Sequence, residues 1–186
     1  MLRVTAAIRL CGLMELDFID EFAMHRGSLV HKAIALDCAG KLDESTVDPE
    51  HVGPRLESFR AWRRQSGVTI LETERHVVNE PMGYEGTFDA LVDLHGTPYI
   101  CDWKGGVEQP WHSIQLAAYT LALAAERPGM ILPCRANLYL DAEGKRRMTP
   151  EHRAKMREGG AKAKAEGRAG WASGNRGTRR KRVDAE

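Results

Sequence analysis

The chain has 186 residues, a formal net charge of +1, and 42% hydrophobic against 28% charged residues, which is enough for one domain core and too little for two full domains. No stretch approaches the roughly 18 apolar residues of a membrane span, and the opening MLRVTAAIRLCGLMELDF carries acids where a signal peptide would not; a cytoplasmic protein with no membrane partner is expected. Cys11, Cys38, Cys101 and Cys134 lie too far apart for a zinc ribbon or a cysteine-ligated cluster, and read as free thiols of a reducing compartment. The small net charge hides a split. Residues 145–186 hold 14 basic and 5 acidic residues, and residues 1–144 hold 13 and 21, so a body of −8 carries a tail of +9.

Residues 1–26 read as one or two helices, with Leu10, Leu13, Met14, Phe18, Ile19 and Phe22 at helical spacings. Gly27-Ser28 offers a cap, followed by a second helix from Leu29 to Ala39 that stops at Gly40. After a polar loop, a helix is expected from about Val52 to Gln65. The period then changes to that of strands over Val68 to Val78, Gly83 to Leu94 and Pro98 to Lys104. Trp111 to Glu126 returns to helix, with Ile114, Ala118, Leu121 and Ala125 as the stripe expected to pack on the sheet, and Ala136 to Leu140 is a last strand, ended by Asp141-Ala-Glu-Gly. The order predicts a mixed α/β core in which consecutive strands meander before one crossover. Residues 145–186 form a basic tail with few large apolar residues, helical at most over 150–166 and otherwise expected to lack order.

GTFDALVDLHGTPYICDWKGG, residues 86–106, carries the chemistry. Phe88, Ala90, Val92 and Leu94 alternate with Thr87, Asp89, Leu91 and Asp93, while Ile100, Asp102 and Lys104 share one face. With His95-Gly96 as a two-residue turn, Leu94 opposes Thr97, Val92 opposes Tyr99 and Asp89 opposes Asp102. Two carboxylates set side by side repel, an arrangement that makes sense around a divalent cation, with Lys104 placed to assist a water or to stabilise charge on a phosphate. A solvated Asp102–Lys104 pair is the plainer alternative. Gln115 and Tyr119 share a helix face with His112 one turn before them. His31 lies in the first turn of its expected helix, and Glu72 and Glu74 share a strand face, so that periodicity leaves either as a third carboxylate.

RGSLVHKAI, ETERHVVNEPMGYEGTFD, ICDWKGG and QLAAY together resemble the PD-(D/E)xK nuclease superfamily over about residues 3–140. More narrowly they resemble its branch of RecB-type nuclease domains, CRISPR-associated relatives and phage exonucleases with a Q-x-x-x-Y motif. The resemblance implies a restriction-endonuclease-like core, a central mixed sheet flanked by helices, and a metal-dependent deoxyribonuclease serving recombination, repair or phage DNA metabolism in a bacterial or phage-infected cell. It implies that His31, Asp89, Asp102 and Glu74 hold Mg²⁺ or Mn²⁺, Glu74 fitting the family spacing better than Glu72. Lys104 is then the catalytic lysine, and Gln115 and Tyr119 the pair that lines the site and meets the nucleic acid. Relatives with an iron–sulfur cluster carry three closely spaced late cysteines; none stand here, so no iron–sulfur cluster is expected. DNA is the implied partner, with a helicase, an annealing protein or a single-strand-binding protein as separate chains. Arg179, Arg180, Lys181 and Arg182 of the tail read as phosphate contacts and Trp171 as a base-stacking residue. The rival readings are a DNA-binding accessory protein that keeps the fold without the activity, and a subunit active only within a larger complex.

Overall fold

The computed structural model describes residues 1–14 and 21–140, with the backbone of Arg146–Arg147. The turn expected at 141–144, the helix at 150–166, and Trp171, Arg179, Arg180, Lys181 and Arg182 lie outside the described residues. The elements in chain order are β1 (Leu2–Arg3), α1 (Val4–Leu10), α2 (Glu21–Cys38), a 3-10 turn (Glu44–Thr46), α3 (Gly53–Ser66), β2 (Thr69–Asn79), β3 (Tyr84–Leu94), β4 (Thr97–Lys104), α4 (Pro110–Glu126), β5 (Cys134–Leu140) and β6 (Arg146–Arg147). The expected α/β order holds: β2, β3 and β4 meander, and α4 crosses over to β5, which runs parallel to β4. Among the described residues no helix is long and apolar enough to cross a membrane.

The first helices depart from expectation. The chain opens with β1, parallel to β3, and α2 runs unbroken through Gly27-Ser28. Ser28 does not cap; its Oγ donates to the Met24 carbonyl one turn back, at 3.2 Å. His31 accordingly sits well inside α2 instead of in a first turn. The far end behaves as read: Gly40 takes φ +65°, Lys41 N–H donates to Leu36 O and Gly40 N–H to Asp37 O, the reciprocal pair of a left-handed glycine stop.

Helices cover both sheet faces. On one, α2 and α3 bury Ile34, Leu56, Phe59 and Trp62 against Val92, Trp103 and Leu138. Trp103 meets Phe59 and Trp62 edge-on, with ring centroids 5.2 and 5.6 Å away. On the other, α1 and α4 cover Val77, Phe88, Leu91 and Ile100. The stripe expected to bury α4 is the wrong one: Ile114 and Leu121 are 39% and 50% exposed, and the inward face carries His112, Gln115, Leu116, Tyr119, Thr120 and Leu123. Burial of polar side chains is tolerable here because each is bonded. Thr120 Oγ1 donates to Leu116 O, His112 Nδ1 accepts from the Gln109 amide and the Tyr139 hydroxyl, and Gln115 joins the site described below.

The hairpin turn sets the register as expected. His95 and Gly96 both take positive φ, 53° and 90°, as a type I′ turn requires, and pairs run from Leu94–Thr97 to Ala90–Cys101. There the pairing stops, one step before Asp89 and Asp102. Tyr84 pairs with Asn79 of β2 and Leu2 of β1, and Ala90 with Thr73 of β2 and Cys101 of β4. Since β2 occupies one edge of β3 throughout, β1 and β4 share the other, leaving residues 86–89 between them without a strand partner on that edge among the described residues. The simple alternation of β3 fails at the same place. Phe88 and Leu91 enter one core cluster while Ala90 enters the opposite one.

Candidate metal and catalytic site

The fork between β3 and β4 exposes backbone groups that the ladder no longer satisfies, and Asp89 fills part of it. Its Oδ2 accepts from the Trp103 amide at 2.5 Å, and its Oδ1 meets His31 Nδ1 at 2.8 Å. The side chain thus does for β4 what a β3 carbonyl would have done. Glu74 reaches the same point from β2. It takes φ +49°, a left-handed backbone that costs a non-glycine residue on the order of 1–2 kcal/mol, and the β2–β3 pairing skips both Glu74 and Asp89. One ligand-type atom from each of His31, Glu74 and Asp89 lies within 4.8 Å of the others. Glu72 is elsewhere, bonded to Arg127 at 2.9 Å and near Arg75 at 3.6 Å.

Asp102, 3% exposed, stands beside this trio but turns to Lys104, with which its Oδ2 forms an ion pair. Lys104 Nζ donates to Gln115 Oε1 at 2.7 Å, and Gln115 Nε2 donates to the Tyr119 hydroxyl at 2.9 Å. The ammonium also lies over the Trp111 ring, 5.1 Å from its centroid. Trp111 went unnoticed in the sequence although its spacing was available: 111, 115 and 119 are i, i+4 and i+8 on one helix face. The Tyr119 ring presses on β3 at Gly86, where a Cβ would stand 2.4 Å from Cε1. Only glycine fits beneath it.

The titrations reflect a crowded anionic site. Burial opposes charging His31, but the charge and hydrogen bond of Asp89, with Asp102 and Glu74 behind it, outweigh that and push its pKa up to about 9. Burial, then the charge of Asp89, raises Asp102, against the pull of Lys104 and His31. Glu74 is raised by the protein mass around it and then by Asp89, with His31 opposing. The Tyr119 hydroxyl is raised by burial and then by Asp102, and stays neutral. His112 is held down at about 4 by burial and then by Lys104, which leaves it a neutral acceptor that anchors α4. Of the residues singled out in the sequence, His31, Glu74 and Asp89 form one group, and Asp102, Lys104, Gln115 and Tyr119 an adjoining bonded chain. No protein-family model matches the chain, and no curated protein matches it significantly.

Proposed function

We propose that this chain is a divalent-metal-dependent deoxyribonuclease with a restriction-endonuclease-like core, as its resemblance to PD-(D/E)xK nucleases implies. One observation carries the reading: the fork gathers His31, Glu74 and Asp89 within 4.8 Å and sets a buried Asp102–Lys104 pair beside them. The donors suit Mg²⁺ or Mn²⁺. They are hard carboxylate oxygens with one imidazole, the carboxyls of Glu74 and Asp102 are raised by burial and then by Asp89's charge, and Asp102 Oδ2, ion-paired to Lys104, has no hydrogen bond among the described residues. His31, Glu74 and Asp89 would hold the ion, with Asp102 adjoining. When bound, it supplies Lewis-acid polarisation of a phosphate oxygen and lowers the pKa of a ligated water.

The residues then divide the work. Asp89 and Asp102 orient the reacting centre from rigid strand positions. Lys104, held by Asp102 and Gln115, brings a positive charge to the phosphate oxygens as the transition state develops. Tyr119, neutral and bonded to Gln115, keeps that glutamine aimed at Lys104. Water adds to phosphorus in line, the P–O3′ bond breaks, and the 3′-oxygen takes a proton; the 5′-phosphate product is the polarity that the resemblance implies. The +9 tail is read as a nonspecific tether, so deleting 145–186 is expected to weaken DNA binding and flatten its salt dependence while sparing hydrolysis at saturating DNA.

The deciding experiment incubates linear and circular DNA with the protein and Mg²⁺ or Mn²⁺, beside Lys104→Ala and Asp102→Ala. Cleavage by the wild type alone is expected. Cleavage surviving both substitutions sinks the site, and tight DNA binding without any cleavage favours an accessory DNA-binding protein.

A further inference from the structure

Ala136, Leu138 and Leu140 of β5 enter the cluster around Trp103, so the alternate positions Asn137 and Tyr139 face α4. Tyr139 has a partner there in His112. Asn137 is 3% exposed, and among the described residues its Oδ1 is buried without a hydrogen bond. Such an orphan is destabilising, and an aliphatic side chain would suit this strand better if packing were its only purpose. The ladder partner of Asn137 on β4 is Asp102. Among the described residues Asp102 Oδ2 is likewise a buried oxygen without a hydrogen bond, its partner being the ion-paired Lys104.

Two acceptors on same-face neighbours of strands about 4.8 Å apart cannot satisfy each other, but a donor and an acceptor can. Half a turn of the Asn137 amide exchanges its oxygen and its NH₂ without moving a carbon. We propose that Asn137 is a positioning residue of the nuclease site whose Nδ2 donates to the Asp102 carboxylate. That bond fixes the carboxylate from the side opposite β3, and it keeps a donor on Asp102 when Lys104 turns to a phosphate. The inference rests on Asp102 being a site carboxylate; the bond itself is a separate, directly measurable fact.

The test has two arms on the full chain. In ¹⁵N–¹H spectra of the metal-free protein, the Asn137 side-chain amide protons should lie downfield and move upfield in Asp102→Asn, because a charge-assisted bond becomes a neutral one. An amide that does not respond to Asp102→Asn overturns the proposal, whether or not the protein cleaves DNA. In the second arm, Asn137→Leu, near-isosteric, takes the amide donor from a buried carboxylate and should lower Tm modestly, and it should lose roughly 10–100-fold in Mn²⁺ affinity by calorimetry or in kcat. A wild type that binds no Mn²⁺ and cleaves nothing removes the nuclease reading and leaves the first arm to decide the bond. Wild-type levels of both Mn²⁺ affinity and kcat in Asn137→Leu, beside an active wild type, overturn the positioning role alone.

Discussion

The two carboxylates at the fork are close in space and opposite in circumstance. Asp89 belongs to a trio with Glu74 and His31 whose one cation is a titratable imidazole. Asp102 belongs to a bonded chain in which a lysine, a glutamine and a tyrosine already have partners. The first half is a cluster of two carboxylates and an imidazole; the second is a set of groups fixed by one another. On the proposed reading the contrast separates binding an ion from using it, and substitutions in the two halves should fail differently.

The largest effect is expected on the fixed half. Lys104→Ala should lower kcat by about 10²–10³, the loss typical of a missing transition-state charge, while Mn²⁺ affinity by calorimetry stays within a few-fold. Equal losses of both would erase the distinction between the halves. Gly86→Ala comes next. A methyl 2.4 Å from the Tyr119 ring forces the ring aside at a cost of about 1–3 kcal/mol, seen as a lower Tm and a lower kcat. In a Tyr119→Ala background, already less stable for the loss of a buried ring, Gly86→Ala should add little further loss of Tm.

On the ligand half, His31→Ala should weaken Mn²⁺ binding roughly 10-fold or more, and kcat at saturating Mn²⁺ should fall less than in Lys104→Ala. The pH dependence has a definite sign. With its pKa at about 9, the metal-free imidazole is protonated at neutrality and must shed that proton to ligate, so affinity should rise toward pH 9 and proton release should show in buffers of different ionisation enthalpy. For the metal-free fold the linkage runs the other way. A folded pKa above the unfolded 6.5 contributes stability that is full below 6.5 and lost as pH rises through about 9. Chemical denaturation in both conditions checks it.

The smallest effect lies away from the fork. Arg60 serves Asp37 at 2.5 Å, Glu57 at 2.8 Å and Glu44, tying α2, the 3-10 turn and α3 together. Arg60→Met should cost about 1 kcal/mol by urea titration, as partly exposed ion pairs do, and leave metal affinity unchanged.

The β3–β4 register was legible in the sequence because a two-residue turn leaves little freedom; the arithmetic failed one pair past Ala90–Cys101, where the strands part. Nothing in a period-2 pattern announces a fork, so alternation puts Phe88 on the wrong face and gives Asp89 a β4 partner that the ladder, ending at Ala90–Cys101, does not provide. Glu74 could not be chosen over Glu72 by alternation because a left-handed residue is what aims it. The face of α4 was inverted for another reason. Hydropathy counts Gln115 and His112 as outward, yet their hydrogen bonds let them be buried while Ile114 and Leu121 stay outside. The pattern of the sequence says where the elements run more clearly than which side chains touch.

The separations along the chain say when the site is made. Gln115–Tyr119, Lys104–Gln115 and Asp89–Trp103 close loops of 4, 11 and 14 residues, whereas His31–Asp89 closes one of 58. Closing a loop costs entropy that grows with its length, so the hairpin and α4 can assemble the lysine-bearing half early, and α2 delivers the imidazole afterwards. In folding kinetics, substitutions at Gly86 or Gln115 should then slow folding, while His31→Ala should mainly speed unfolding. The nascent chain would set Lys104 in place before the His31, Glu74 and Asp89 cluster is complete.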